Sequence, residues 1–258
     1  MLSEILSCGI AGINGFSVTV EADVSRGLPS FEIVGLPDAA VKESKERVRS
    51  AIKNSGFEMP VKKITINLAP ADVKKEGAIY DLPIAVGILL ATEALTVNNA
   101  SEYMFVGELS LGGEIRRVNG VLPMVDCARK QGIKKVVVPP ENASEAAVAE
   151  GVEVYAPKTL NELLLHLLGT APLPPTVGNI GEAFRRGAEN LPDFADVRGQ
   201  ENAKYGLEIA AAGGHNCLMV GPPGSGKTML AQRLPSILPD LTVSEAIEVT
   251  KIHSIAGE

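Results

Sequence analysis

Residues 221–228 read Gly-Pro-Pro-Gly-Ser-Gly-Lys-Thr. Gly221, Gly224 and Gly226 admit backbone angles that other residues avoid, and they carry no Cβ to hold an anion away. Successive backbone N–H groups in such a loop converge on an oxyanion. Lys227 adds a fixed cation, and Thr228 adds a hydroxyl suited to a hydrated divalent ion. The spacing G-x-x-x-x-G-K-[ST] is that of a phosphate-cradling loop. Gly221, Pro222, Pro223, Gly224, Ser225, Gly226, Lys227 and Thr228 are therefore expected to bind the polyphosphate of ATP. Lys227 would sit near the β- and γ-phosphates and Thr228 on Mg²⁺.

Such a loop works only between a strand and a helix. Asn216–Val220 is a short apolar run and reads as the strand. Residues from Gly226 towards Leu234 read as the helix, and Gln200–Ala212 as a helix before the strand. Ser244–His253 reads as a further helix with Ser244 as its cap. ATP hydrolysis also needs an acidic residue for the metal and the attacking water. No apolar strand ending in Asp or Glu follows Thr228, and the ATPase complement is expected to lie beyond Glu258. This chain is thus expected to bind ATP and Mg²⁺ but to turn ATP over poorly or not at all.

The upstream residues alternate strand and helix signals. Phe16–Ala22, Ser30–Val34, Lys63–Leu68, Tyr103–Glu108, Lys135–Val138 and Val152–Tyr155 read as strands. Helices are expected from Asp38, as cap, to about Asn54, where Gly56 stops the run, and over Asp81–Leu95, Val121–Lys130, Ala143–Ala149 and Thr159–Leu168. The pattern is that of an α/β domain over 1–169. A Pro- and Gly-rich stretch follows as a linker over 170–193, and the nucleotide-binding portion occupies 194–258.

The net charge of −7 argues against a broad nucleic-acid surface but leaves room for a local basic loop. The short pairs Arg116-Arg117 and Arg185-Arg186 read as ordinary surface charge. Cys8, Cys127 and Cys217 are few and far apart, so they read as buried, inert thiols in a reducing compartment rather than as a disulfide or zinc framework. No apolar run is long enough to span a bilayer, and a soluble, cytoplasmic protein without a membrane partner is expected. His215 reads as structural.

The stretch DFADVRGQENAKYGLEIAAAGGHNCLMVGPPGSGKTMLAQRLPSILP, residues 193–239, resembles the start of the magnesium-chelatase-like AAA+ ATPase module. SRGLPSFEIVGLPDAAVKESKERVRSAIKNSGF, residues 25–57, resembles the domain that precedes this module in the YifB/ComM family. The resemblance implies a homo-oligomeric, hexameric ring with ATP between subunits, and a DNA helicase driving branch migration in natural transformation. It places Val197–Gln200 near the adenine. A chelatase motor for metal insertion into a tetrapyrrole and a non-catalytic assembly module are the alternatives. The first is disfavoured by the domain ahead of the AAA+ module.

That leading domain is itself similar to the proteolytic domain of Lon, a ribosomal-S5-like α/β fold. The likeness is carried by GELSLGGEIRRVNGVLPMVDCARKQGIKKVVVPPEN, residues 107–142. Lon uses a Ser nucleophile and a Lys base. The window for the Ser, Gly77–Gly87, contains no Ser. The window for the Lys, Val118–Asp126, contains no Lys, and Leu122 stands about where it would be. No peptidase activity is expected, and the domain would serve assembly or contact DNA or partners.

Overall fold

The computed structural model describes residues 1–97, 99–178, 192–239 and 241–257. The chain divides into two compact units, Met1–Gly178 with Glu248–Glu258, and Asn179–Ile247. Most of the Pro- and Gly-rich stretch, with Arg185-Arg186, lies outside the described residues.

The first unit is a mixed α/β layer built on a seven-stranded sheet. Its strands are β1 (Leu2–Ala11), β2 (Asn14–Ser25), β3 (Ser30–Val34), β4 (Lys63–Ala69), β5 (Tyr103–Phe105), β8 (Lys135–Val137) and β9 (Glu153–Tyr155), in the order β3-β4-β2-β1-β5-β8-β9. The pairs β1–β2 and β2–β4 are antiparallel, and the other four are parallel. A separate hairpin joins β6 (Glu108–Leu109) to β7 (Ile115–Arg116).

Residues 2–11, for which the sequence predicts no element, form β1. Glycines sit in close packing here, Gly9 in β1 and Gly15 in β2. A Cβ on Gly9 would lie 2.5 Å from both the Phe16 ring and Tyr80 Oη, and one on Gly15 would lie 2.5 Å from the Pro123 carbonyl. Glycine inside a strand here marks close approach, not a break. The segment read as one strand over Tyr103–Glu108 divides into β5 and β6 instead. Gly107, at φ +159°, lies between them; its N–H bonds the Ile79 carbonyl and its carbonyl accepts from Leu82 N–H.

Helix α1 (Ala39–Asn54) starts where Asp38 Oδ1 accepts from Val41 N–H at 2.7 Å, and buries Val41, Val48 and Ile52 on one face. It ends at Gly56, φ +88°, whose N–H reaches the Lys53 carbonyl. Helix α2 (Asp81–Ala91) is buried almost all round and packs on β1 and β2. It stops at Ala91, short of the expected Leu95, with Thr92 at its C-cap. Helix α3 (Val121–Lys130) packs on the same two strands. The short α4 (Ala143–Ala146) and α5 (Leu160–Leu167) complete the layer, α5 being capped by Thr159.

The second unit holds α6 (Glu201–Gly213), α7 (Lys227–Arg233) and the start of α8 (Val243–Ala256). Its small core is Phe194, Val197, Leu207 and Leu230, with Ala203, Met219, Leu234 and Ile237 at the edge. Thr242, not Ser244, caps α8. Its Oγ1 accepts from Glu245 N–H at 3.3 Å while the Glu245 carboxylate accepts from Thr242 N–H at 2.9 Å, a reciprocal capping box.

Candidate functional site

The glycine-rich loop lies in the second unit, between the extended segment Asn216–Val220 and α7. Gly224 and Gly226 take φ values of +79° and +83°, the left-handed region that favours glycine. Gly226 is the N-cap of α7, so the chain turns from loop to helix at the glycine that precedes Lys227. Lys227 Nζ folds back into the loop and donates to the carbonyls of Gly221 and Pro222, both at 2.8 Å, and to Ser225 Oγ at 3.2 Å. Gln200, itself left-handed at φ +61°, donates from Nε2 to the Ser225 carbonyl at 2.9 Å. The loop is thereby tied to the residue that opens α6.

A cavity of about 480 Å³ sits beside the loop. Gly221, Pro222, Ser225 and Lys227 line it from the loop, Cys217–Val220 from the preceding segment, and Gln200, Asn202, Ala203, Gly206 and Leu207 from the other side. The remaining loop residues Pro223, Gly224 and Thr228 are exposed, and Gly226 is half-buried. Of Val197–Gln200, only Gln200 lines the cavity, while Val197 is in the small core. The arrangement offers a polar, cationic loop at one end and an apolar wall of Ala203, Leu207 and Met219 at the other. That suits an anion attached to a flat apolar group.

The expected strand over Asn216–Val220 does not form among the described residues. Of this segment's side chains Met219 packs against the core, while Leu218 and Val220 are 88% and 87% exposed and Cys217 is exposed too. A strand exists only through ladder partners, and no described segment pairs with this one.

In the first unit, the two windows considered for a Lon-like dyad approach each other across a cavity of about 570 Å³. Gly77, Ala78 and Ile79 line it from one window, and Val118, Asn119 and Met124 from the other. Glu76, Glu108 and Arg117 add charge. The lining contains no Ser, Thr, Cys or Lys. Leu122 is fully buried, and its N–H donates to Glu145 Oε1 at 3.0 Å. Arg117 donates to the Gly257 carbonyl at 3.1 Å.

Two buried charge clusters escaped the sequence reading. Asp81, with no solvent exposure, accepts from Arg47 Nε at 2.6 Å, from Leu109 N–H at 3.2 Å and from Ser44 Oγ. Burial raises its carboxyl above the usual value, against the opposing hydrogen bonds of Arg47 and Ser44. Asp126 is 5% exposed and accepts from Lys251, Arg129 and Lys130. Burial works to raise its carboxyl, but these cations hold it well below the carboxylate range. Only the pairs at i,i+3 and i,i+4 were visible as sequence spacing. Cys217 is exposed, contrary to the expectation of three buried thiols; it sits on the extended segment 216–220, which pairs with no described strand. Among the described residues no group of His, Cys, Asp and Glu is placed to hold a metal, and no helix is long and apolar enough to cross a membrane.

Comparison with known proteins places these features. Residues 20–142 match the family described as subunit ChlI of Mg-chelatase, and residues 193–258 match that of magnesium chelatase, subunit ChlI. The chain is 46% identical over 258 residues to the uncharacterised protein YifB of Escherichia coli, covering 99% of this chain and 50% of that protein. It is 43% identical over 255 residues to the competence protein ComM of Haemophilus influenzae, covering 98% and 50%. The chain belongs to the magnesium-chelatase-like YifB/ComM family. It spans about half the length of these relatives. Lon protease 2 of Bacillus subtilis is 30% identical over 132 residues, 51% of this chain and 23% of that protein. The Lon-like α/β domain ahead of an AAA+ domain is thus borne out as the fold class of this YifB/ComM-family chain.

Proposed function

We propose that the chain is the ATP-binding portion of a YifB/ComM-family AAA+ motor. The single observation that carries this reading is the loop Gly221–Thr228, whose left-handed glycines and inward-folded Lys227 adjoin a cavity with an apolar far wall. Bound ATP would exchange its β- and γ-phosphates for the Gly221 and Pro222 carbonyls as partners of Lys227. Thr228 would meet Mg²⁺, and Gln200 would hold the loop in place while Leu207 and Met219 flank the base.

The domain division 1–169, 170–193 and 194–258 fits this reading. The leading domain serves assembly or contact with DNA or partners, a non-proteolytic role that rests on the absence of Ser from Gly77–Gly87 and of Lys from Val118–Asp126. The whole protein acts in the cytoplasm as a hexameric ring that moves DNA. The name of the competence protein ComM supports DNA taken up from outside as the substrate. Metal insertion into a tetrapyrrole is the weaker alternative, because the match to YifB and ComM runs through both domains.

The test is titration of the 258-residue chain with a fluorescent ATP analogue, with and without Mg²⁺. Saturable binding that Lys227→Ala weakens at least tenfold, about 1.4 kcal/mol, supports the proposal. Equal binding by both proteins refutes it. Turnover by the isolated chain is expected to be negligible.

A further inference from the structure

Cys8 on β1 and Cys127 on α3 are both buried and face each other across Gly15, and the Cys8 thiol donates to the Gly9 carbonyl at 3.4 Å. They lie 119 positions apart in sequence, so no local spacing announces the pair. Gly15 makes the contact possible. The point where its Cβ would sit is 2.8 Å from Cys127 Cβ and 3.0 Å from Cys8 Sγ. Any side chain there would separate the two cysteines or displace α3. Cys127 is also reached from outside. It lines a cavity of about 170 Å³ together with Gly15, Asp126, Lys130 and Gln131. That space holds a molecule the size of water or peroxide with room to spare. Gln131 Nε2 donates to Cys127 Sγ at 3.3 Å. Cys8 has no exposure and does not line that cavity.

We propose that Cys127 and Cys8 form a peroxide-oxidisable pair, in which Cys127 is the sulfur that reacts first and Cys8 the one that resolves it, closing a disulfide between α3 and β1. The electrostatics agree with this division. The neighbouring Cys8 thiol pulls the Cys127 thiol down to about 7, with Lys130 and Gln131 assisting and burial and Asp126 opposing. The proximity of Cys127 and burial push Cys8 far up. The reactive species is the thiolate, so Cys127 is the one poised at neutral pH.

In the first step the Cys127 thiolate attacks one peroxide oxygen. The S–O bond forms, the O–O bond breaks, hydroxide leaves, and sulfur loses two electrons to become sulfenic acid. In the second step the Cys8 sulfur attacks Cys127. The S–S bond forms, the S–O bond breaks, and the hydroxyl leaves as water with the Cys8 proton. One peroxide is consumed and two waters form once the hydroxide is protonated.

The experiment treats the full 258-residue chain with hydrogen peroxide and maps tryptic peptides under non-reducing conditions, with exposed Cys217 as the internal reference. The expected product links residues 1–26 to residues 118–129, and reductant releases it. In Cys8→Ser, Cys127 should instead carry added oxygen with no link. Cys8 and Cys127 both remaining reduced at a peroxide dose that oxidises Cys217 would overturn the pair. So would a Cys127 that gains oxygen in the unaltered chain without ever linking to Cys8. Should Cys8→Ser fail to fold, the pH profile of Cys127 oxidation in the unaltered chain decides. A midpoint below the ordinary thiol value of about 8.5 supports the proposal, and one at or above it overturns it.

Discussion

Lys251 Nζ lies 2.5 Å from Asp126 Oδ2, and the two side chains are 8% and 7% exposed. The remaining oxygen of Asp126 accepts from Arg129 at 2.8 Å, and Lys130 joins Oδ2 at 2.9 Å. Around this pair, residues 248–258 add further bonds. Gly120 N–H donates to the Ser254 carbonyl at 2.9 Å, and Ser254 Oγ donates to Glu145. The final turns of α8 are thus held on the first unit by one buried ion pair and several hydrogen bonds.

Removing one member of a buried pair strands the other charge, at a cost of about 3–5 kcal/mol. Asp126→Ala should fall in that range, because among the described residues Asp126 is the carboxylate that pairs with Lys251. Lys251→Ala should cost less, since Arg129 and Lys130 still serve Asp126. Urea unfolding of both variants at neutral pH checks the order. The reverse order would show that the exposed cations do not compensate.

The same carboxylate sets an acid dependence. Its folded value lies below its unfolded one, so its stabilisation is fully present above the unfolded pKa of about 3.9 and lost as pH falls through the folded value. The stability gap between the unaltered chain and Asp126→Asn should therefore shrink as pH is lowered below about 4. A gap that stays constant down to acid unfolding would show that Asp126 acts through shape and not charge.

Asp81 behaves with the opposite sign. Burial raises its carboxyl, so the folded chain holds that proton more readily than the unfolded one, and Asp81 adds no acid lability. Asp81→Ala should destabilise by about 3–5 kcal/mol, because Arg47 would lose its carboxylate and Ser44 and Leu109 N–H their acceptor. Asp81→Asn keeps an oxygen for those neutral donors and should cost clearly less. Thermal melts of the two variants read the difference directly.

What could be read in advance was whatever the chain encodes over a few residues. The phosphate loop is eight consecutive positions, and the α1 cap rests on Asp38 and a residue three positions on. Elements defined by distant partners were harder. β1 is one such element: it carries Gly9, which is small because Phe16 and Tyr80 crowd it, and its ladder partners lie on other segments. Asp81 looked like the first residue of an apolar helix until α1 brought Ser44 and Arg47 beside it. Asp126 and Lys251 are 125 positions apart, and nothing in either segment marks the other. Asn216–Val220 has a strand's composition, yet composition cannot supply the neighbouring strand that a ladder needs.

The loop itself offers a prediction that separates positioning from direct contact. Gln200 holds the Ser225 carbonyl at 2.9 Å from outside the glycine-rich sequence. Losing one such hydrogen bond costs about 1 kcal/mol, so Gln200→Ala should weaken binding of the ATP analogue about fivefold, both with and without Mg²⁺. Thr228→Ala should act differently. Its hydroxyl is expected to matter only through the metal, so binding in the presence of a chelator should be unchanged while the gain from added Mg²⁺ disappears. The pair of titrations, each run with Mg²⁺ and with chelator, distinguishes the two roles. If Thr228→Ala weakened metal-free binding as much as Gln200→Ala does, the hydroxyl would be shaping the loop, and its assignment to Mg²⁺ would fail.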